Sequence, residues 1–177
     1  CAAVSLGAEA PFIRPKDYAE DFSSSEMSYK HALTWLYENE GYDPDIFVYT
    51  QVTDLFKSPD LITACIQSLI DDPALDSAFV GYPDKKNYWK LNGQHPISLT
   101  PGKHMSRQKK EPIFREDTGL GCATRTHWLT QHDRRLGDQV KILPYDNMLI
   151  DIHTEFDFWL AEKVLSDRPD FKPFLLS

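Results

Sequence analysis

Cysteine is scarce in this chain of 177 residues: Cys1, Cys65 and Cys122 lack metal-site spacing, and an odd count of three offers no disulfide framework. Cys65 and Cys122 sit in apolar runs and read as buried thiols in a reducing compartment. No stretch is apolar for long enough to span a membrane and none reads as a signal peptide, so a cytoplasmic protein is expected. Positive charge is in deficit too, with 19 Lys and Arg against 27 Asp and Glu for a net charge of −8. That balance argues against non-specific binding to nucleic acid or to an anionic membrane surface. Gly119-Leu120-Gly121 is not a dinucleotide fingerprint, and no glycine-rich loop ends in Lys-Ser or Lys-Thr. No Ser, Cys and His arrangement marks a covalent nucleophile. What is left, at 41% hydrophobic and 26% charged, is the composition of an ordinary single domain with a substantial core.

Taken in order, the chain reads as alternating helices and strands. Residues 1–8 resemble the end of a helix closed by Gly7, so a preceding segment is expected. Asp21, Ser23, Ser24 and Ser25 offer N-caps for a helix from about Glu26 to Glu38, with Met27, Leu33, Trp35 and Leu36 on its apolar face. Asp45 to Thr50 is a β-prone run, expected as a central strand that ends in a ligand-binding loop at Gln51–Asp54. Pro59 opens a helix to about Asp71, and Ser77 to Tyr82 is the next strand. Tyr88 to Lys110 is polar and rich in Gly, Pro, Lys and His, as in a loop, hairpin arm or oligomerisation excursion. A strand over 118–124, a short helix over 126–131 and extended pieces at 141–144 and 149–153 complete the pattern. This alternation predicts one α/β domain, residues 1–177, with a largely parallel sheet.

The stretch Leu149–Glu162 is the most informative. Its polar and apolar residues alternate as far as His153, which puts Asp151 and His153 on one side. Thr154 followed by Asp157 predicts a capped helix start, with Phe156, Trp159 and Leu160 forming the buried face. A carboxylate and an imidazole beside a helix N-terminus suit a divalent metal and a phosphate. An Asp and a His so placed before a helix more often serve as turn and capping groups.

Other groups carry weaker signals. Ser23–Ser25 at a helix start suit a phosphate or ribose, or serve as caps. Arg107 and Arg115, with Lys103, Lys109 and Lys110 nearby, read either as forked donors for a carboxylate or phosphate or as a solvated basic loop. Gln51 and Thr53 suit hydroxyl recognition. His31 reads as a packed helix residue.

In order, these motifs resemble the cytidylyltransferase family of CMP-sialic acid synthetases. The carriers are Arg14-Pro15 through Ser23-Ser24-Ser25 with His31-Ala32-Leu33, Gln51 to Lys57, Arg107-Gln108 with Phe114-Arg115, and Asp151-Ile152-His153-Thr154-Glu155-Phe156-Asp157. The resemblance spans essentially the whole chain. It implies a Rossmann-like three-layer sandwich, of the nucleotide-diphospho-sugar transferase type, with a mainly parallel sheet. It also implies transfer of CMP from CTP to a nine-carbon sugar acid of the sialic, legionaminic or pseudaminic kind, with release of pyrophosphate. On matching positions, Arg14, Ser24 and Ser25 contact the nucleotide, while Gln51, Thr53, Arg107 and Arg115 hold the sugar acid. Asp151 binds Mg²⁺, or Mn²⁺, with His153 standing where the family has a second Asp. Members pair as dimers through the excursion at residues 82–110.

Several departures accompany the match. Val52, Asp54, Leu55 and Lys57 depart from the family's pattern around Thr53, and Asp117-Thr118-Gly119 replaces its Asn-Gly. His153 adds no negative charge to a metal site. The family's opening strand and its basic, Gly-containing triphosphate loop have no counterpart in these residues. A second expectation follows: a fragment that acts as a sugar-acid or nucleotide-binding remnant, or as a regulatory partner of a full-length synthetase.

Overall fold

A computed structural model describes residues 2–20, 22–100, 105–147 and 149–168. After a short helix α1 (Ala2–Ser5) and a 3-10 turn (Lys16–Tyr18) comes α2 (Ser25–Glu40). Gly41 stops α2 because it takes the left-handed conformation, φ 66°, which lets its N–H bond back to the carbonyls of Leu36 and Tyr37. Strand β1 (Ile46–Tyr49) leads to α3 (Pro59–Asp71), whose start is fixed by Pro59 and by the Ser58 hydroxyl accepting from the Asp60 N–H at 3.2 Å. Then follow β2 (Ser77–Asp84), the hairpin β3 (Trp89–Asn92) with β4 (His95–Ser98), β5 (Ile113–Glu116), β6 (Cys122–Arg125), α4 (Thr126–His132), β7 (Val140–Pro144) and α5 (Glu155–Asp167). The expected excursion is thus a hairpin, with every residue of both strands exposed. Among the described residues, no helix is long and apolar enough to cross a membrane.

The expectation of a mainly parallel sheet is corrected. In the five-stranded sheet only the β2–β7 pair is parallel; β1–β6, β2–β6 and β2–β5 are antiparallel. The reason is the path between β5 and β6. Gly81 pairs with Glu116 on one side and Pro144 on the other, while Phe79 pairs with Cys122 and Ile142. So β5 and β6 lie end to end along the same edge of β2, joined by residues 117–121 alone. A parallel neighbour requires a long crossover, and no such connection joins these two strands.

Alternate residues feed two core layers, one on each face. Ala78, Val80 and Ala123 pack with Cys65 and Leu69 of α3, whereas Tyr49, Phe79 and Cys122 pack with Tyr29 of α2. Helix, sheet and helix therefore make three layers, with α4 beside α2. Cys65 and Cys122 are buried free thiols, and burial pushes them up to about 11 and about 12.

Helix α5 turns differently from expectation. Phe156 and Trp159 are 64% and 54% exposed, their rings paired at 5.6 Å, while Ala161 is buried and Leu160 and Val164 are half-buried. The cap sets this phase: Thr154 Oγ1 accepts from the Asp157 N–H at 3.2 Å, and Asp157 Oδ2 accepts from the Thr154 N–H at 2.8 Å. With Asp157 locked inward, the stripe 157–160–161–164 follows at helical spacing and the aromatics face out. Met27 of α2 is likewise 43% exposed, leaving Leu33 as that helix's buried residue. Replacing Thr154 by Ala is expected to cost about 1 kcal/mol in urea unfolding, the usual worth of such a cap.

Candidate active site

The break between β5 and β6 builds the site. The Asp117 N–H donates to the Val80 carbonyl and the Val80 N–H to the Gly121 carbonyl, both at 3.0 Å, so residues 117–121 bulge out over Val80. The tip of the bulge docks on the loop after β1, where the Gln51 N–H donates to the Gly119 carbonyl at 3.0 Å. The approach is close. A Cβ on Gly119 would stand 1.8 Å from Asp54 Oδ2 and 2.9 Å from Gln51 Oε1.

A second short pairing brings in the residues before α5. The Leu55 N–H donates to the Ile150 carbonyl and the Ile152 N–H to the Thr53 carbonyl, setting Asp54 opposite Asp151. Opposed residues of an antiparallel pair share a face, so the two carboxylates are neighbours. Asp54 is 6% exposed, and burial pushes its carboxyl up to about 6. The charge of Asp151 and, more weakly, of Asp117 adds to the shift, while Lys57 and Arg115 oppose it. Lys57 closes this loop from beneath, its ammonium donating to the carbonyls of Gln51 and Asp54, and burial lowers its pKa.

The folded chain holds the Asp54 proton more tightly than the unfolded chain, whose carboxyl titrates at its ordinary 3.8. The stability this group contributes is therefore full below about pH 4 and lost as pH rises through about 6. Asp54→Asn is expected to remove that fall, on the order of 1–2 kcal/mol after solvent screening, in urea unfolding followed from pH 4 to pH 7.

Arg115, Glu116, Asp117, Asp151, His153 and Asp157 line an open cleft of about 440 Å³. Arg115 is aimed by two contacts: its Nε donates to Asp117 Oδ1 at 2.9 Å, and its guanidinium lies over the Tyr82 ring at 5.4 Å. The nitrogens at the end of its fork are thereby presented in one plane, the geometry that receives a carboxylate or phosphate. His153 Nε2 and Asp151 Oδ2 are 2.7 Å apart. Asp151 Oδ1 and Asp117 Oδ2 are buried without a hydrogen-bond partner. Unpaired buried carboxylate oxygens are costly, and a hard cation relieves that cost. Among the described residues no three His, Cys, Asp or Glu side chains form a metal-holding group. Mg²⁺ needs none, because it binds through one or two carboxylates and keeps several waters. Asp151 therefore fits such an ion.

The remaining expected residues stand elsewhere. Gln51 and Thr53 are half-buried beside the bulge, while Arg107 is exposed in a 3-10 turn (Arg107–Lys109) that does not line the cleft. Lys110 is bound to the carbonyls of Lys85 and Lys86 at 2.7 Å each, which removes it from any basic cluster; Lys103 lies outside the described residues. At the start of α2, Ser24 is the N-cap, without a side-chain cap bond, and Ser25 is the first helical residue, both exposed. Arg14 bonds there too, its Nη1 donating to the Ser28 hydroxyl at 3.3 Å. His31 packs between Phe12 and Tyr18, at ring distances of 5.0 and 5.6 Å. Asp54, Glu116 and Asp117 were not among the expected site residues. The sequence signals were that Asp54 closes the expected ligand-binding loop Gln51–Asp54, and that Asp54 and Asp117 each replace a different residue in the pattern that the chain resembles.

No protein-family model and no curated protein matches the chain. Solved structures do. CMP:2-keto-3-deoxy-manno-octonic acid synthetase complexed with CTP aligns at TM-score 0.54 and 13% identity, over 82% of this chain and 69% of that one. 4-Diphosphocytidyl-2C-methyl-D-erythritol synthase from Anaerococcus prevotii DSM 20548 aligns at TM-score 0.54 and 15% identity, over 81% of this chain and 67% of that one. The chain thus shares the mixed α/β fold of these two structures, with antiparallel strands in its own sheet.

Proposed function

We propose that this chain is a cytidylyltransferase domain that activates a sialic-type nonulosonic acid with CTP. The observation that carries the reading is one cleft holding both an aimed, forked cation at Arg115 and an unpaired buried carboxylate oxygen at Asp151. The fold adds support, since one of the similar structures is a sugar-acid synthetase complexed with CTP. In the reaction the anomeric oxygen of the sugar bonds to the α-phosphorus of CTP as the bond to the β-phosphate breaks, and pyrophosphate leaves. Arg115 holds the sugar carboxylate, while Gln51 and Thr53 take sugar hydroxyls; Arg107, exposed and away from the cleft, has no part in holding it. Arg14, Ser24 and Ser25 receive the nucleotide at the start of α2. Asp151, with His153 against it, holds Mg²⁺ or Mn²⁺, whose chemistry is to offset charge on the triphosphate. The exposed hairpin, with Trp89, Leu91, Ile97 and Leu99 each at least 47% exposed, pairs two copies as a homodimer, and the two buried thiols suit a cytoplasmic setting.

A binding-only reading has its own support. Glu116, Asp117, Asp151 and Asp157 outnumber Arg115 along the cleft, and Lys57 is committed to backbone carbonyls. Pyrophosphate release with CTP, Mg²⁺ or Mn²⁺ and a panel of sialic, legionaminic, pseudaminic and octulosonic acids separates the two. Turnover with a nine-carbon acid supports the transferase. CTP or sugar-acid binding by calorimetry without turnover supports the second reading, and no binding at all sinks both.

A further inference from the structure

Arg135 lies outside the lining of the cleft, yet it touches both ends of the proposed site. It sits in the loop between α4 and β7, which the rest of the fold pins firmly. The Gly137 N–H donates to the Ser77 hydroxyl at 2.9 Å, and the Asp138 and Gln139 N–H groups donate to Asp76 Oδ2 at 3.0 and 2.8 Å. On the near side, the Arg134 guanidinium lies over the Trp128 ring at 4.9 Å and pairs with Asp138 at 2.8 Å. From this fixed post Arg135 reaches two carboxylates on different elements. Its Nη2 is 3.3 Å from Glu116 Oε1, at the end of β5, and its Nε is 3.6 Å from Glu26 Oε1, in the first turn of α2. Its guanidinium also lies 5.9 Å from the centre of the Tyr49 ring, and Tyr49 in turn packs on Tyr29 of α2 at 5.1 Å.

Isolated surface ion pairs contribute little, so the arrangement matters more than the count. The Arg135 side chain is only 34% exposed, its fork is shared by two acids, and an aromatic ring backs it. Glu116 stands between Arg115 and Asp117, and its Oε1 also meets the Thr118 hydroxyl at 3.5 Å. Glu26 follows Ser25. Remove the cation, and two carboxylates are left facing across the gap between α2 and β5 with no shared cation between them.

We infer that Arg135 is a positioning residue, which sets the spacing between the nucleotide subsite at Ser24–Ser25 and the anion subsite at Arg115. The subsite assignment rests on the function proposed above; the clamp itself does not. Hydrogen exchange tests the clamp with no ligand present. In Arg135→Met, the amides of residues 29–31, whose acceptors lie in the first turn of α2, and those of 117–121 exchange about tenfold faster, while α3 and the β2 amides other than Val80, which bonds to Gly121, keep their protection. Unchanged exchange in either segment, or equal acceleration throughout the chain, overturns the inference. The ligand arm uses steady-state kinetics on three variants. Arg135→Met raises KM for both CTP and the sugar acid by about tenfold, whereas Glu26→Gln raises chiefly the first and Glu116→Gln chiefly the second. A general loss of stability would lower active fraction and kcat without that split, and that result also overturns it. A wild-type chain that binds neither CTP nor any sugar acid defeats the proposed function, and exchange then decides the clamp alone.

Discussion

Gly119→Ala is expected to lower stability by about 3 kcal/mol, with a fall in Tm of roughly 6–12 °C for a chain of this size. The added methyl group has nowhere to go. It would stand 1.8 Å from a carboxylate oxygen of Asp54 and 2.9 Å from Gln51 Oε1, and the loop carrying both is held at the same point by the Gln51 N–H on the Gly119 carbonyl. Relief requires either that Asp54 leave its buried place opposite Asp151 or that the whole bulge lift from the loop. Either movement separates Asp117, and with it the aim of Arg115, from Asp151. The conflict is one of space alone, since Gly119 is not among the positive-φ glycines. Asp54→Ala in the same chain should therefore recover part of the loss, and a double-mutant cycle by urea unfolding measures the recovery. Additive losses would show that the clash is not with Asp54.

Arg115→Met is expected to lower kcat/KM for the sugar acid by about 10–100-fold, as loss of the charge-assisted hydrogen bonds of one forked donor commonly does at a half-exposed site. The KM for CTP should move little, because the residues proposed for the nucleotide, at the start of α2, do not line this cleft. The substitution has a second consequence that does not depend on substrate. Asp117 would lose the donor to its Oδ1 while its Oδ2 is already buried and unpaired, so the bulge should also lose stability. Arg115→Lys keeps the charge but not the fork and cannot both pair with Asp117 and present a planar pair of donors. It should resemble Met in kinetics and the wild type in thermal unfolding. Kinetics of Lys equal to wild type would remove the forked contact from the mechanism.

Much of this architecture was legible where it rests on local chemistry. Pro59 after Ser58 placed the start of α3, and Thr154 with Asp157 placed that of α5, because caps act within one turn. Asp151 beside His153 followed from a period of two. What was not legible depends on partners distant in sequence. The antiparallel sheet arises because β5 and β6 share one edge of β2, which no periodicity in either strand encodes. Phe156 and Trp159 carry the apolar signal of a buried face, yet the cap turns them out. Asp54 read as a loop residue because its burial comes from Gly119, 65 positions further on. Arg135 belongs to no motif in the sequence, and only the fold shows the two glutamates on either side of it.

Strand β1, expected as a central strand, stands instead at the edge of the sheet, and that position has a practical consequence. Among the described residues, Ile46–Tyr49 pairs with β6 on one side and with no strand on the other. A row of apolar residues along an unpaired strand edge is a template for strand addition. At high concentration, then, copies of this chain should stack edge to edge into precipitate, by a route separate from any pairing through the hairpin. A short β-forming peptide that occupies the edge would act as a solubiliser.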